Sequence, residues 1–271
     1  MLEMQRLLSL KVSDADYDNA AAVRDSEQQL ADFEVRSNAL VARVTAQLDM
    51  VYGLAERQRY DFFPGRSGAP VLLFIHGGYW QMRHKNTFRF VAEGALAKGL
   101  HAALIGYTLA PQANLARIVL EVHQGIAAVR AQALNQGGSG EVLLCGWSAG
   151  GHLAAMGLAC AGVVAGLGIS GIYDLAPLRQ TVLNHALQLT AMDVHTLSPL
   201  RLPLVRKPFV TAYGTAELPQ LQAQSRAFAE YRGTLPAAAE PVLGADHFSI
   251  LNALAARDGS LLQRLLVAPS I

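Results

Sequence analysis

Cysteine is scarce in this 271-residue sequence, and neither sign of charge is in excess. The two cysteines, Cys145 and Cys160, lie in apolar surroundings with no Cys-x-x-Cys spacing. They read as buried free thiols, not a disulfide framework, which suits a reducing compartment and sets a cytoplasmic expectation. Lys plus Arg number 22 against 21 Asp plus Glu, a formal net charge of +1. That balance has nothing to attract phosphate backbones or anionic lipid, so neither nucleic acid nor a membrane surface is expected as a partner. Charged residues make up 16% of the chain against 52% hydrophobic ones, which excludes disorder for its bulk. There is no His-Glu-x-x-His, no Cys/His cluster and no Gly-x-Gly-x-x-Gly after a strand. No metal and no cofactor are therefore expected.

Long apolar runs are also missing. The one stretch that could imitate a membrane span, Val142 to Tyr173, has no Asp, Glu, Lys or Arg but contains eight glycines together with Ser148 and His152. A bilayer helix needs about 20 mostly apolar residues without so many breakers, so the stretch reads as strand, tight turn, buried helix and strand. Met1 to Leu10 carries Glu3 and Arg6 and lacks a continuous apolar core, so no secretory signal is expected there.

The charge that is present is uneven. Residues 1–50 hold 14 of the 43 charged residues and show helical periodicity through Leu30, Phe33, Leu40, Val44 and Leu48. This segment is expected to be a helical arm or cap on a more apolar body. From about residue 58, short apolar runs alternate with longer amphipathic stretches. Strands are expected at Val71–Ile75, Ala102–Tyr107, Val142–Cys145, Val163–Ile169 and Phe209–Tyr213, with a short one near Pro241. Helices are expected at Phe88–Ala97, Leu115–Ala133, Gly150–Cys160, Gln220–Tyr231, about 248–257 and 259–267. Such alternation gives an α/β fold, a mostly parallel sheet with helices on both faces. With no repeat or linker to divide it, 1–271 reads as a single domain with a cap-like insertion at about 175–205.

Chemistry concentrates at two glycine-rich turns. Gly146-Trp147-Ser148-Ala149-Gly150 follows an apolar strand and precedes a helix-forming run. Small residues at both ends allow a strained strand-to-helix turn that lifts the Ser148 hydroxyl out of the sheet and points the Ala149 N–H along a helix start. His76-Gly77-Gly78-Tyr79-Trp80, some 70 residues earlier, also follows a strand. Its glycine pair lets the N–H groups of Gly78 and Tyr79 converge with that of Ala149 as an oxyanion hole. His76 is expected to fix its loop, and Trp80, beside Tyr79, to border the substrate.

A nucleophilic serine needs a base and a group that orients the base. Of eight histidines, His247 stands in a polar loop, Gly244-Ala245-Asp246-His247-Phe248-Ser249, ahead of a C-terminal helix. His152, four residues after Ser148, reads as a packing or capping residue. For the acid, Glu217 follows strand Phe209–Tyr213 and leads, with Asp174 and Asp246 as rivals.

At these residues the chain resembles the α/β-hydrolase superfamily, and more narrowly the kynurenine formamidase (arylformamidase) group. The narrower likeness rests on His76–Trp80, Tyr107-Thr108-Leu109-Ala110-Pro111, Ser170–Leu175, Asp246–Leu251 and the arm run Tyr17–Val23. Two features depart from the group: a Glu where the acid is more often Asp, and Asp18-Asn19-Ala20 where a more polar run is usual. The resemblance implies an α/β-hydrolase fold and acyl transfer through an acyl-enzyme on Ser148, with Glu217 and His247 completing the triad. Its substrate would be a small molecule, an aryl formamide such as N-formyl-kynurenine. A carboxylesterase with the same triad and a non-catalytic binding protein on the same scaffold stay open, as does a homodimer.

Overall fold

The computed structural model describes residues 12–233 and 239–267, and Met1–Leu10, where a secretory signal was in question, lies outside them. Eight strands form one sheet: β1 (Gln47–Val51), β2 (Arg59–Phe63), β3 (Val71–Ile75), β4 (His101–Ile105), β5 (Val142–Trp147), β6 (Val163–Ile169), β7 (Phe209–Gly214) and β8 (Ala239–Val242). Their order is β1-β2-β4-β3-β5-β6-β7-β8. β1 and β2 run antiparallel to their neighbours, and the other pairings are parallel. The longer helices are α1 (Ser26–Arg43), α2 (Ala92–Ala97), α3 (Leu115–Asn135), α4 (Ala149–Gly157), α5 (Ala191–Leu197), α6 (Pro219–Arg232) and α7 (Ser260–Val267). None is long and apolar enough to cross a membrane.

β3 is buried along its whole length because both faces of the sheet are covered. Side chains alternate sides along a strand. Val71, Leu73 and Ile75 therefore join the cluster that holds Ile118, Val122, Ile126 and Val129 of α3. Leu72 and Phe74 join the opposite cluster, with Phe33 and Leu40 of α1 and Leu261 and Leu265 of α7.

The N-terminal segment is shorter in helix than its periodicity suggests. α1 stops at Arg43, and Leu48 belongs to the edge strand β1. The helical reading of 1–50 is thus corrected over its last residues: β1 shows no apolar alternation because its side chains are exposed or half-buried on both faces. β2 is a further strand, and it carries a fully buried carboxylate, Asp61, at its centre. Lys85 Nζ donates to Asp61 Oδ1 at 2.6 Å and Arg89 Nε to Oδ2 at 2.7 Å, so the charge is neutralised inside the fold. The helix expected at Phe88–Ala97 begins as a 3₁₀ stretch, Lys85–Val91, and becomes α-helical at Ala92. Between β6 and β7, short helical pieces run from Pro177 to Arg201.

Register brings the strand ends together. Ile75 pairs with Gly146, Trp147 with Ile169, and Ile169 with Ala212. The residues that follow β3, β5, β6 and β7 therefore emerge at one edge of the sheet. In open α/β sheets this carboxyl-end edge is where ligands bind.

Candidate active site

Ser148 joins β5 to α4 with φ 55° and ψ −120°, a left-handed conformation rare for a residue with a side chain. Its neighbours allow it. A Cβ on Gly150 would strike the carbonyl oxygens of Ile75 and His76, and one on Gly146 would strike the Gly150 backbone. The Ser148 N–H donates to Ile169 O at 2.8 Å, which pins the turn to β6. Gly77 lets the preceding loop lie against this turn, since a Cβ there would sit 2.8 Å from Ser148 Cβ.

His247 is buried beside the turn, and its Nδ1 lies 3.1 Å from Glu217 Oε2. The other carboxylate oxygen, Oε1, accepts 2.6 Å bonds from Ser170 Oγ and from the Gly214 N–H. Glu217 is thereby held by three partners, with one oxygen reserved for the imidazole. Ser170 was not singled out from the sequence. Its signals were its place at the end of β6 and in the Ser170–Leu175 run, and its own φ is 52°. Trp147 fixes the base from the other side, donating from Nε1 to His247 O at 2.8 Å.

The rival acids are occupied elsewhere. Asp174 accepts two 3.0 Å bonds from Arg201, at Oδ1 from Nε and at Oδ2 from Nη2. Asp246 accepts from the Phe248 and Ser249 N–H groups at 2.8 Å and from Gln29 Nε2 of α1 at 3.0 Å. His152 bonds through Nε2 to Leu197 O at 2.8 Å, and His76 through Nδ1 to Gly77 O at 2.7 Å. Burial pulls the pKa of His152 down to about 4 and that of His76 to about 3, so both are neutral structural groups.

Ser148 and His247 face a cavity of about 260 Å³, together with Gly78, Tyr79 and Trp147. Its roof comes from two distant parts of the chain. One is the arm, through Tyr17 and Asn19, and the other is the 177–201 region, through Thr181 to Leu183. Asn19 Nδ2 donates to Tyr79 Oη at 2.8 Å, and that hydroxyl donates to Tyr17 O at 2.6 Å, tying the arm to the glycine-rich loop. The backbone N–H groups of Gly78, Tyr79 and Ala149 have no hydrogen-bond partner among the described residues. A serine on a strained turn, an imidazole held by a carboxylate and unpaired N–H groups nearby can together carry out acyl transfer.

Trp80 does not border this cavity, contrary to the sequence expectation. It is fully buried and packs edge-on against His152 at 5.0 Å between ring centroids. Two consecutive left-handed residues, Tyr79 (φ 49°) and Trp80 (φ 58°), turn the second ring inward while the first faces the pocket. The indole that lines the cavity is Trp147. Trp80→Ala should therefore cost about 3–5 kcal/mol of stability by leaving a core void, with the acyl-chain preference unchanged. Urea unfolding beside an acyl-ester series checks both parts. A shifted preference at unaltered stability would return Trp80 to the pocket wall.

Comparison with known proteins follows the same lines. The BD-FAE family model matches residues 63–165, a stretch holding both glycine-rich turns. The kynurenine formamidase of Danio rerio is 31% identical over 242 residues, 81% of this chain and 80% of its own. The chain belongs to the kynurenine formamidase family. Among solved structures, a candidate thioesterase from Silicibacter sp. tm1040 superposes with a TM-score of 0.86 at 26% identity, covering 93% of this chain and 98% of its own. An esterase from Pyrobaculum calidifontis gives 0.70 at 18% identity, covering 91% and 93% of the two chains. Together with the strand order, these likenesses establish the α/β-hydrolase fold. This family member is a hydrolase of the arylformamidase or carboxylesterase type.

Proposed function

We propose that the chain hydrolyses aryl formamides such as N-formyl-kynurenine through a formyl-enzyme on Ser148. The observation that carries this reading is His247, 3.1 Å from Glu217 through Nδ1 and lining one cavity with Ser148, in a member of this family. His247 Nε2 takes the hydroxyl proton as Ser148 Oγ attacks the formyl carbon. Glu217 holds the ring with Nδ1–H toward itself. The N–H groups of Gly78, Tyr79 and Ala149 receive the oxyanion of the tetrahedral intermediate. His247 then gives its proton to the leaving arylamine, and a water activated by the same ring releases formate.

The deciding experiment compares turnover of N-formyl-kynurenine with that of acyl esters of one phenol. The expected result is efficient formamide cleavage, with ester kcat/KM falling from formyl and acetyl to butyryl and longer chains. Each methylene that fits a pocket gains only about 1–3 kcal/mol, so a steep fall means exclusion by the walls. An unaltered protein that prefers octanoyl esters and ignores the formamide is a carboxylesterase instead.

A further inference from the structure

The cavity holds a cation that the triad chemistry does not use. Among the described residues lining it, Arg83 is the only arginine or lysine. Its side-chain stem crosses the glycine-rich loop, with Cγ 2.8 Å from where a Cβ on Gly78 would stand. Its backbone is held in the left-handed region at φ 77°. Arg57 Nη2 fixes that bend by donating to Arg83 O at 2.6 Å. Backbone strain at a non-glycine residue persists only where the surroundings enforce it, and it gathers at binding sites.

The guanidinium itself has no hydrogen bond or ion pair among the described residues, although it is half-buried. Glu34 acts on it only at longer range, and its Oε1 accepts from Thr87 Oγ1 at 3.3 Å. Other partly or fully buried arginines are engaged. Arg57 and Arg232 donate to backbone carbonyls, and Arg89 is bonded to Asp61. A planar fork of five N–H donors, partly stripped of water and carried by a residue that lines a cavity, fits a carboxylate. The arm supplies the opposite sign through Asp14 and Asp18. Asp14 accepts from the Val182 N–H at 2.7 Å, and Asp18 from the Ala21 N–H at 3.0 Å.

We infer that Arg83 is the specificity residue of this hydrolase, binding a carboxylate on the leaving-group side of the substrate. The inference rests on the aryl formamidase reading and adds to it the recognition of an amino-acid side arm. Arg83 is not catalytic: it takes no part in the proton transfers and acts on binding. Removing a charge-assisted bond to a carboxylate weakens binding by about 10- to 100-fold.

The test uses two formamides that share an aryl ketone: N-formyl-kynurenine, which carries the amino-acid arm, and 2′-formamidoacetophenone, which lacks it. Arg83→Met should raise KM for N-formyl-kynurenine by about 10- to 100-fold and leave kcat and the neutral formamide nearly untouched. Arg83→Lys should restore part of the loss, because it keeps the charge but not the fork. Competitive inhibition by kynurenine should weaken in Arg83→Met, while inhibition by 2′-aminoacetophenone stays. Equal loss on both substrates, or no loss on either, overturns the assignment. So does a Glu34→Gln variant that reproduces the Arg83→Met pattern, since Arg83 would then serve to anchor α1. If the unaltered chain cleaves neither formamide, the formamidase reading falls and takes this inference with it. If it cleaves both and Arg83→Met treats them alike, only the Arg83 role falls.

Discussion

Ser148→Ala is expected to lower kcat for any acyl substrate by about 10⁴-fold or more while the protein folds as before. The turn does not depend on the hydroxyl. Its bend is set by Gly146 and Gly150, and its anchor is the Ser148 N–H bond to Ile169 O, which alanine keeps. Alanine also meets the same left-handed strain as serine, since both carry a Cβ. Thermal unfolding should therefore match within about 2 °C, a shift of at most about 1 kcal/mol. A fluorophosphonate probe should label the unaltered chain and not the variant. Near-normal turnover in Ser148→Ala would remove the residue as nucleophile.

Glu217→Gln should cost about 10³- to 10⁴-fold in kcat, and His247→Ala at least as much. Glu217 Oε1 is already committed to Ser170 and Gly214, both of which donate to it. A glutamine must keep its carbonyl oxygen there and turn its NH₂ toward His247. The imidazole then presents the wrong tautomer to Ser148. Asp174→Asn makes the contrast, because Asp174 is spent on Arg201 and touches neither Ser148 nor His247. It should leave kcat within about threefold and reduce stability by about 1–2 kcal/mol. Steady-state kinetics of the three variants beside their unfolding curves decide the matter. If Asp174→Asn is the more damaging acid change, the carboxylate assignment is reversed.

What could be read from the sequence divides along physical lines. β3, β5 and β6 were legible because strands covered on both faces must be apolar throughout, and the turns after β3 and β5 because close backbone approach tolerates only small residues. β2 was hidden by Asp61. A charge in mid-strand normally marks a solvent face, and nothing local shows that Lys85 and Arg89 arrive from a distant segment to neutralise it. β1 was hidden by its exposure, which let Leu48 pass as the end of a helical stripe. Ser148, His247 and Glu217 were singled out by motif and chain order, and the fold pairs Glu217 with His247 and sets His247 and Ser148 around one cavity. Trp80 was misplaced because two left-handed residues decide which ring of an adjacent pair turns inward, and ring type alone carries no such information. Arg83 was missed because an arginine after a loop looks the same whether or not the fold leaves its guanidinium without a partner.

The roof over the cavity has a bearing on the order of events during synthesis. Tyr17, Asn19 and Gln29 leave the ribosome before their partners, since their bonds are to Gln224, Tyr79 and Asp246. Gln29 waits for a partner 217 positions later. A segment translated well ahead of its partners thus settles late, and closing so long a loop is slow by its nature. Until then the nascent chain can build much of its sheet while the substrate chamber stands open. The arm works as a latch with three catches, at Tyr79, Gln224 and Asp246, and a chain interrupted between the first and the last would hold it by only part of them.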